Sequence, residues 1–343
     1  MEFVLNRTFR HAAYSCAVSQ DQTRIAIASR RKVFIYSVPA FSQVGSFVIQ
    51  NPASMVFLSD NRSLLVTNTT GSIYLWDGMG IEALGKWPTK HYNSEELCYI
   101  SDDCILVAGP GGVWQYSILQ RKFKHLFSTE KTAVICKRAQ EYIGLILFSW
   151  QDRQKIDIVK LSYHGEVISH SRSDRELLTR MIYRPVGLGE EIVLSAVAPP
   201  EFVEQPGIVS VTYGFDANGR AQILEEVRSP NSEPATPPRS MLYRLNEDGS
   251  VLAQREAAGS NELSGDLYPC NQGVALICNA NNNILFLDTY DLHPVYVLEK
   301  DTLFPKPEIN PFEFVHWIGN DMLIVGTWER LYILQETRKD HSV

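Results

Sequence analysis

Between Gly71 and Gly78 the chain reads GSIYLWDG: a turn, a short run alternating apolar and aromatic positions, then a Trp-Asp pair before another turn. The same pattern returns loosely at KVFIYS (32–37), GVWQYS (112–117), KIDIVK (155–160), MLYRLN (241–246), NILFLD (283–288) and RLYILQ (330–335). Aligned on Trp76, these runs place Tyr36, Trp76, Tyr116, Val159, Leu245, Leu287 and Leu334 at successive gaps of 40, 40, 43, 86, 42 and 47 residues. Two further strand-sized runs precede each copy and one follows, with Gly, Asn, Asp and Pro supplying the bends between them. A spacing of about 40 residues between short β segments predicts propeller blades of four strands each.

The gap of 86 residues holds an insertion. GIVSVTYGFDANGRAQILEEV (207–227) reads as a hairpin, but RSPNSEPATPPR (228–239) carries four prolines and no large apolar residue. That segment is expected to supply no further ladder, because proline lacks the donor a sheet needs. The count is therefore seven blades, the fifth enlarged at about 199–239. The last blade has only three candidates, FEFVHW, MLIVGT and RLYIL, while EFVLNRTF at the start has no partner nearby. Pairing the two closes the ring and leaves no edge open. The expected fold is an all-β, seven-bladed propeller of four-stranded antiparallel blades, one domain over residues 1–336 with a polar tail at 337–343.

This arrangement resembles the WD-repeat propeller family over nearly the whole chain. Trp76-Asp77 is its dipeptide, Asp288 keeps the acid alone, and His11 is a remnant of the Gly-His pair expected before a blade's first strand. The resemblance implies that second-to-third-strand loops and between-blade loops share one face, the top, where such propellers bind partners.

Composition narrows the setting. Apolar residues make up 45% and charged residues 21%, as in a folded soluble chain, and the net charge of −7 disfavours nucleic acid and anionic membrane as partners. The start, MEFVLNRTFRHAAYS, lacks the apolar core of a signal peptide. Six cysteines form no C-x-x-C pair and read as reduced core thiols of a cytoplasmic protein.

Catalytic signatures are lacking: no G-x-S-x-G elbow, no H-E-x-x-H, no phosphate-binding glycine loop. GPGG (109–112) reads as a tight turn, and HSRSD (170–174) crowds Ser, His and Asp without the spatial logic of a triad. No metal site and no cofactor are expected. The top-face loops instead gather Arg31, Tyr92, Trp150, Arg153, Phe304, Trp328 and Arg330, residue types that dominate protein interfaces. A non-enzymatic scaffold or adaptor is the expected function, monomeric by itself, with a protein or peptide on that face. The alternative is a hydrolase- or lyase-type propeller enzyme using Asp266, Glu313 and His316 at the central channel.

Overall fold

A computed structural model describes residues 2–87, 97–151, 153–179, 181–182, 184–198, 202–215, 221–234, 239–256, 265–270, 273–277, 283–299, 312–319 and 321–337. The chain is all-β, and its antiparallel sheets stand in a ring of the β-propeller kind. A lone strand β1 (Phe3–Phe9) comes first. The first module is β2 (Ser15–Val18), β3 (Arg24–Ser29), β4 (Lys32–Ser37) and β5 (Gln43–Phe47); the second is β6 (Pro52–Phe57), β7 (Leu64–Asn68), β8 (Ser72–Trp76) and β9 (Ile81–Lys86).

Next come β10 (Cys98–Ser101), β11 (Cys104–Ser117), β12 (Lys122–Arg138), β13 (Tyr142–Phe148), β14 (Arg153–Gln154), β15 (Asp157–Ser162) and β16 (Val167–Arg172), all but β14 in one six-stranded sheet. That sheet holds two modules, because β11 doubles back on itself. Ile118 N donates to Asp103 O at 3.0 Å, and Gln115 Nε2 reaches Cys104 Sγ at 3.0 Å, contacts that a straight strand could not make. The fold lies at GPGG, where a Cβ on Gly112 (φ +131°) would meet Phe127 O at 1.8 Å, so only glycine fits. β12 then serves as the outer strand of the third module (Phe123↔Tyr116) and the inner strand of the fourth (Val134↔Ile146). Seven modules thus occupy six ring sheets rather than seven separate ones.

β17 (Leu177–Leu178) pairs with β14, and the fifth module follows with β18 (Met181–Ile182), β19 (Val186–Leu188) and β20 (Glu191–Ala198). The insertion is a long two-stranded ribbon, β21 (Phe202–Phe215) with β22 (Ala221–Pro234), before β23 (Arg239–Asn246) and β24 (Val251–Glu256) complete the module. The ribbon corrects the expectation that the proline-rich segment cannot extend the ladder: Pro206 sits opposite Pro230, and Phe202 opposite Pro234. Both strands of a two-stranded ribbon are edges, so a proline can stand where its missing donor would have faced outward. The sixth module is β25 (Leu267–Cys270), β26 (Gly273–Ile277), β27 (Ile284–Leu287) and β28 (Pro294–Leu298); the seventh is β29 (Phe312–Ile318), β30 (Met322–Thr327), β31 (Leu331–Glu336) and, from the other end of the chain, β1.

Each module is sandwiched between two neighbours, so its middle strands are buried on both faces. In β3, Ile25 and Ile27 pack toward the seventh module, while Ala26 and Ala28 pack toward the second. Equivalent cores lie between the second and third modules around Tyr116, the third and fourth around Leu145, the fourth and fifth around Tyr243, and the fifth and sixth around Leu242. The core at the closure is aromatic. Phe3 stacks on Phe286 with ring centroids 5.6 Å apart and meets Trp317 edge-on at 5.8 Å, joining β1 to the sixth and seventh modules. Trp76 is buried against Phe47 at 5.4 Å, and a Cβ on Gly45 would approach its ring to 3.0 Å.

Among the described residues, Glu247 and Asp157 hold paired carboxylates largely out of solvent. Glu247 accepts from Lys137 Nζ at 2.8 Å and Lys160 Nζ at 2.6 Å, tying the fourth module to the fifth. Burial alone would raise its pKa, but the hydrogen bonds from Lys137 and Lys160 outweigh burial and hold it below 4.5. Asp157 is held low in the same way, burial being overcome by Arg172 Nε at 2.7 Å and Lys131 Nζ at 2.6 Å. His170 Nε2 of the HSRSD segment lies 3.5 Å from this same Asp157.

Two predictions follow from packing and charge. Phe3→Ala should lower unfolding free energy by about 3 kcal/mol in urea titration, against under about 0.5 kcal/mol for the exposed neighbour Val4→Ala; equal, small effects would mean that β1 does not close the ring. Because Glu247 has a depressed pKa, its stabilisation is complete above the unfolded-state value of 4.5 and fades as pH falls through the lower folded value. Glu247→Gln should therefore cost about 2 kcal/mol at pH 7 and leave a flatter loss of stability in acid than the parent. An unchanged acid slope would contradict the ion cluster.

Candidate functional site

Antiparallel hairpins alternate ends, so first-to-second and third-to-fourth strand turns emerge on one face of the ring, and the remaining connections on the other. The two faces differ in charge. Every described first-to-second strand turn carries a carboxylate, namely Asp21, Asp60, Asp102 with Asp103, Glu141, Glu190 and Asp321, and Arg62 is their one base. Two of these acids cap their own turns: Asp21 Oδ1 accepts from Thr23 N at 3.0 Å, and Asp60 Oδ1 accepts from Arg62 N at 2.8 Å and Ser63 N at 2.7 Å; Asp77, in a third-to-fourth strand turn of the same face, accepts from Met79 N at 2.8 Å. The opposite, top face presents Arg30 and Arg31 between β3 and β4, Trp150, Arg153 and Lys155 between β13 and β15, Trp328 to Arg330 between β30 and β31, and the β21–β22 ribbon with Glu204, Glu225, Glu226 and Glu233.

A cleft of about 930 Å³ opens on the top face where the chain's two ends meet. The link from β1 to β2 supplies Thr8, Arg10 and Ala12, the β3–β4 turn supplies Arg30, and the last module supplies Trp328, Glu329, Arg330 and Tyr332. Ala13 N donates to Thr327 O at 2.8 Å, which fixes the link against the β30–β31 turn. Arg30 Nε donates to the Tyr14 hydroxyl at 2.8 Å, a bond that raises the pKa of the guanidinium. Arg330 donates to the Tyr332 hydroxyl at 3.2 Å. The Trp328 indole N–H donates to Glu313 Oε1, which anchors the ring at its polar corner while 47% of the residue stays exposed. In the same β1–β2 link, His11 Nε2 lies 2.7 Å from the Tyr36 hydroxyl and its ring stacks on Phe34 at 4.4 Å.

Of the residues expected on the top face, Trp328 and Arg330 line this cleft. Arg31 is exposed on the same turn, but its neighbour Arg30 is the one facing the cleft. Trp150, 59% exposed, packs edge-on to Phe148 at 5.6 Å, and exposed Arg153 pairs through its backbone with Leu178; both belong to the fourth module and neither lines the cleft. Tyr92 and Phe304 lie outside the described residues. Arg10, Arg30 and Tyr332 were absent from the expected set. A signal for Arg10 existed, since a first strand that closes the ring makes the residues after it a between-blade loop. Choosing Arg30 over Arg31 needed the orientation of a two-residue turn.

The residues proposed for central-channel chemistry are each engaged. Burial raises the Glu313 pKa, opposed by the Trp328 indole and reinforced by Asp266. Asp266 Oδ1 accepts from Arg184 N at 3.3 Å. His316 packs between Tyr268 and Phe314, both at 6.1 Å, and burial with a contribution from Arg184 pushes its pKa down to about 3, so its imidazole is neutral. Such a histidine is too weak a base for proton transfer near neutral pH. A smaller cavity of about 350 Å³ lies among the innermost strands, lined by Val56, Tyr99, Ile135, Arg138, Arg184 and Pro269 among others. No group of three or more His, Cys, Asp or Glu among the described residues is placed to hold a metal ion. Cys16, Cys104 and Cys136 are free thiols, and burial pushes Cys136 up to about 12. No helix among the described residues is long and apolar enough to cross a membrane. Compared with known proteins, the chain matches no family model and no curated protein sequence.

Proposed function

We propose that this protein is a non-enzymatic interaction platform, a divergent propeller of WD-repeat type that holds a protein or peptide partner on its top face. The observation that carries the reading is the seam cleft, where a half-exposed indole and several guanidinium groups line one recess. Trp and Arg contribute most to binding at interfaces because each buries a large surface while keeping a polar handle. The exposed Trp150 and Arg153 extend the same face around the ring, and the β21–β22 ribbon leaves the fifth module from its second-to-third strand connection, which belongs to that face too. The neutral His316 and the engaged Glu313 support a non-enzymatic reading over a channel enzyme. The free thiols of Cys16, Cys104 and buried Cys136 support a reducing, cytoplasmic setting.

The test compares three tagged proteins as baits in cells of the native host: the parent, the top-face variant Trp150→Ala/Trp328→Ala/Arg330→Ala, and the opposite-face variant Arg62→Ala/Arg121→Ala. With melting temperatures matched, the top-face variant should lose at least about ten-fold of each specific partner, as removal of interface anchors does, while the opposite-face variant keeps them. Partners retained by the first and lost by the second would reverse the assignment of the face.

A further inference from the structure

Within that cleft the charge is one-sided. Arg10 is exposed, and its guanidinium makes no hydrogen bond or ion pair among the described residues. Arg30 is also exposed; its Nε is held by Tyr14, and its two terminal nitrogens make no hydrogen bond there. The Tyr14 contact restricts where the Arg30 fork can point, and an Arg fork held in this way is suited to a planar carboxylate, which it can bind through two parallel hydrogen bonds. Glu329 is the one acid among the described residues that line the recess, and its charge acts on Arg30, so three arginines share a single carboxylate there. Beside these cations the Trp328 ring offers an apolar surface, its own N–H already used by Glu313.

We infer that the occupant of the seam cleft is an acidic peptide segment, its carboxylates on Arg10 and Arg30 and an adjacent apolar side chain on Trp328. The inference rests on the platform reading above and adds the chemistry of the partner. A carboxylate peptide matches both halves of the site, the forked cations and the indole. A bare phosphate backbone would use only the first half, and a membrane would need a broader cationic surface than one recess. The distribution of charge along the ring axis favours the same partner. The opposite face carries an acid in each described first-to-second strand turn and so repels an acidic segment, while on the top, where the ribbon brings Glu204, Glu225, Glu226 and Glu233, attraction is confined to the arginines of the cleft. An occupant bridging Arg10, Arg30 and Trp328 would also touch both ends of the chain at once, and so would stabilise the closed ring as any ligand specific to the folded state does.

The experiment uses the full chain and a short fluorescein-labelled peptide of alternating glutamate and leucine, followed by fluorescence anisotropy. A matched glutamine–leucine peptide, a short DNA duplex and anionic phospholipid vesicles serve as comparators. The glutamate peptide should bind, weaken as salt rises, raise the melting temperature, and lose at least about ten-fold in affinity on Arg10→Glu/Arg30→Glu. Arg62→Glu/Arg121→Glu on the opposite face should leave its affinity unchanged. Equal binding of the glutamine peptide, tighter binding of DNA or vesicles, no binding, or indifference to Arg10→Glu/Arg30→Glu would each overturn the inference. If partners captured from cells still depend on Trp328 and Arg330 while the glutamate peptide fails, the platform reading stands and only the acidic occupant is wrong. If the peptide binds but captured partners ignore the top-face variant, the platform reading is the one that falls.

Discussion

The last module has only three strands of its own, and the pairing of β1 with β31 supplies its outer strand from the other end of the chain. Leu5 sits opposite Leu334 and Thr8 opposite Tyr332 in this ladder, so residues more than three hundred positions apart share backbone hydrogen bonds. The aromatic packing of Phe3 on Phe286 and Trp317 gives the ladder an apolar anchor. Everything else in the ring repeats locally, module on neighbouring module. The closure alone is long-range, and it carries the entropic cost of bringing the chain's ends together.

The same closure builds the cleft. Arg10 reaches the top face because the chain must pass from the outermost strand of the last module to the innermost strand of the first. Trp328 and Arg330 occupy the turn beside that passage, held by the Ala13–Thr327 hydrogen bond. The recess is thus a product of topology, lined by residues that no single module contains. Its three arginines meet one acid, Glu329, in a molecule whose net charge is −7. Whole-chain charge hides this local excess, and an argument from net charge about partners applies only to the average surface.

The period was legible because each module is buried on both sides, which makes strands such as β7 and β13 nearly continuous apolar runs spaced by about 40 residues. Closure was legible from a missing outer strand at one end and a surplus strand at the other. The fusion of the third and fourth modules into one sheet was not, since it depends on how β12 passes between them. The β21–β22 ribbon outran its expected length because a strand rule for proline drawn from wide sheets does not bind a two-stranded ribbon. For the site, residue type pointed correctly to Trp328 and Arg330, while a one-residue ambiguity in SRRK chose Arg31 over Arg30. The ion cluster was invisible for a different reason: Lys137 and Glu247 are 110 residues apart, and no local pattern links them.

The most direct test of the account is native-state hydrogen exchange across the seam. If β1 closes the ring, amides of residues 3–9 that pair with β31 exchange as slowly as those of residues 331–336, both through global unfolding. Rapid exchange of residues 3–9 alongside a protected ring would mean that the first strand is a loose end, and the cleft built on it would not exist.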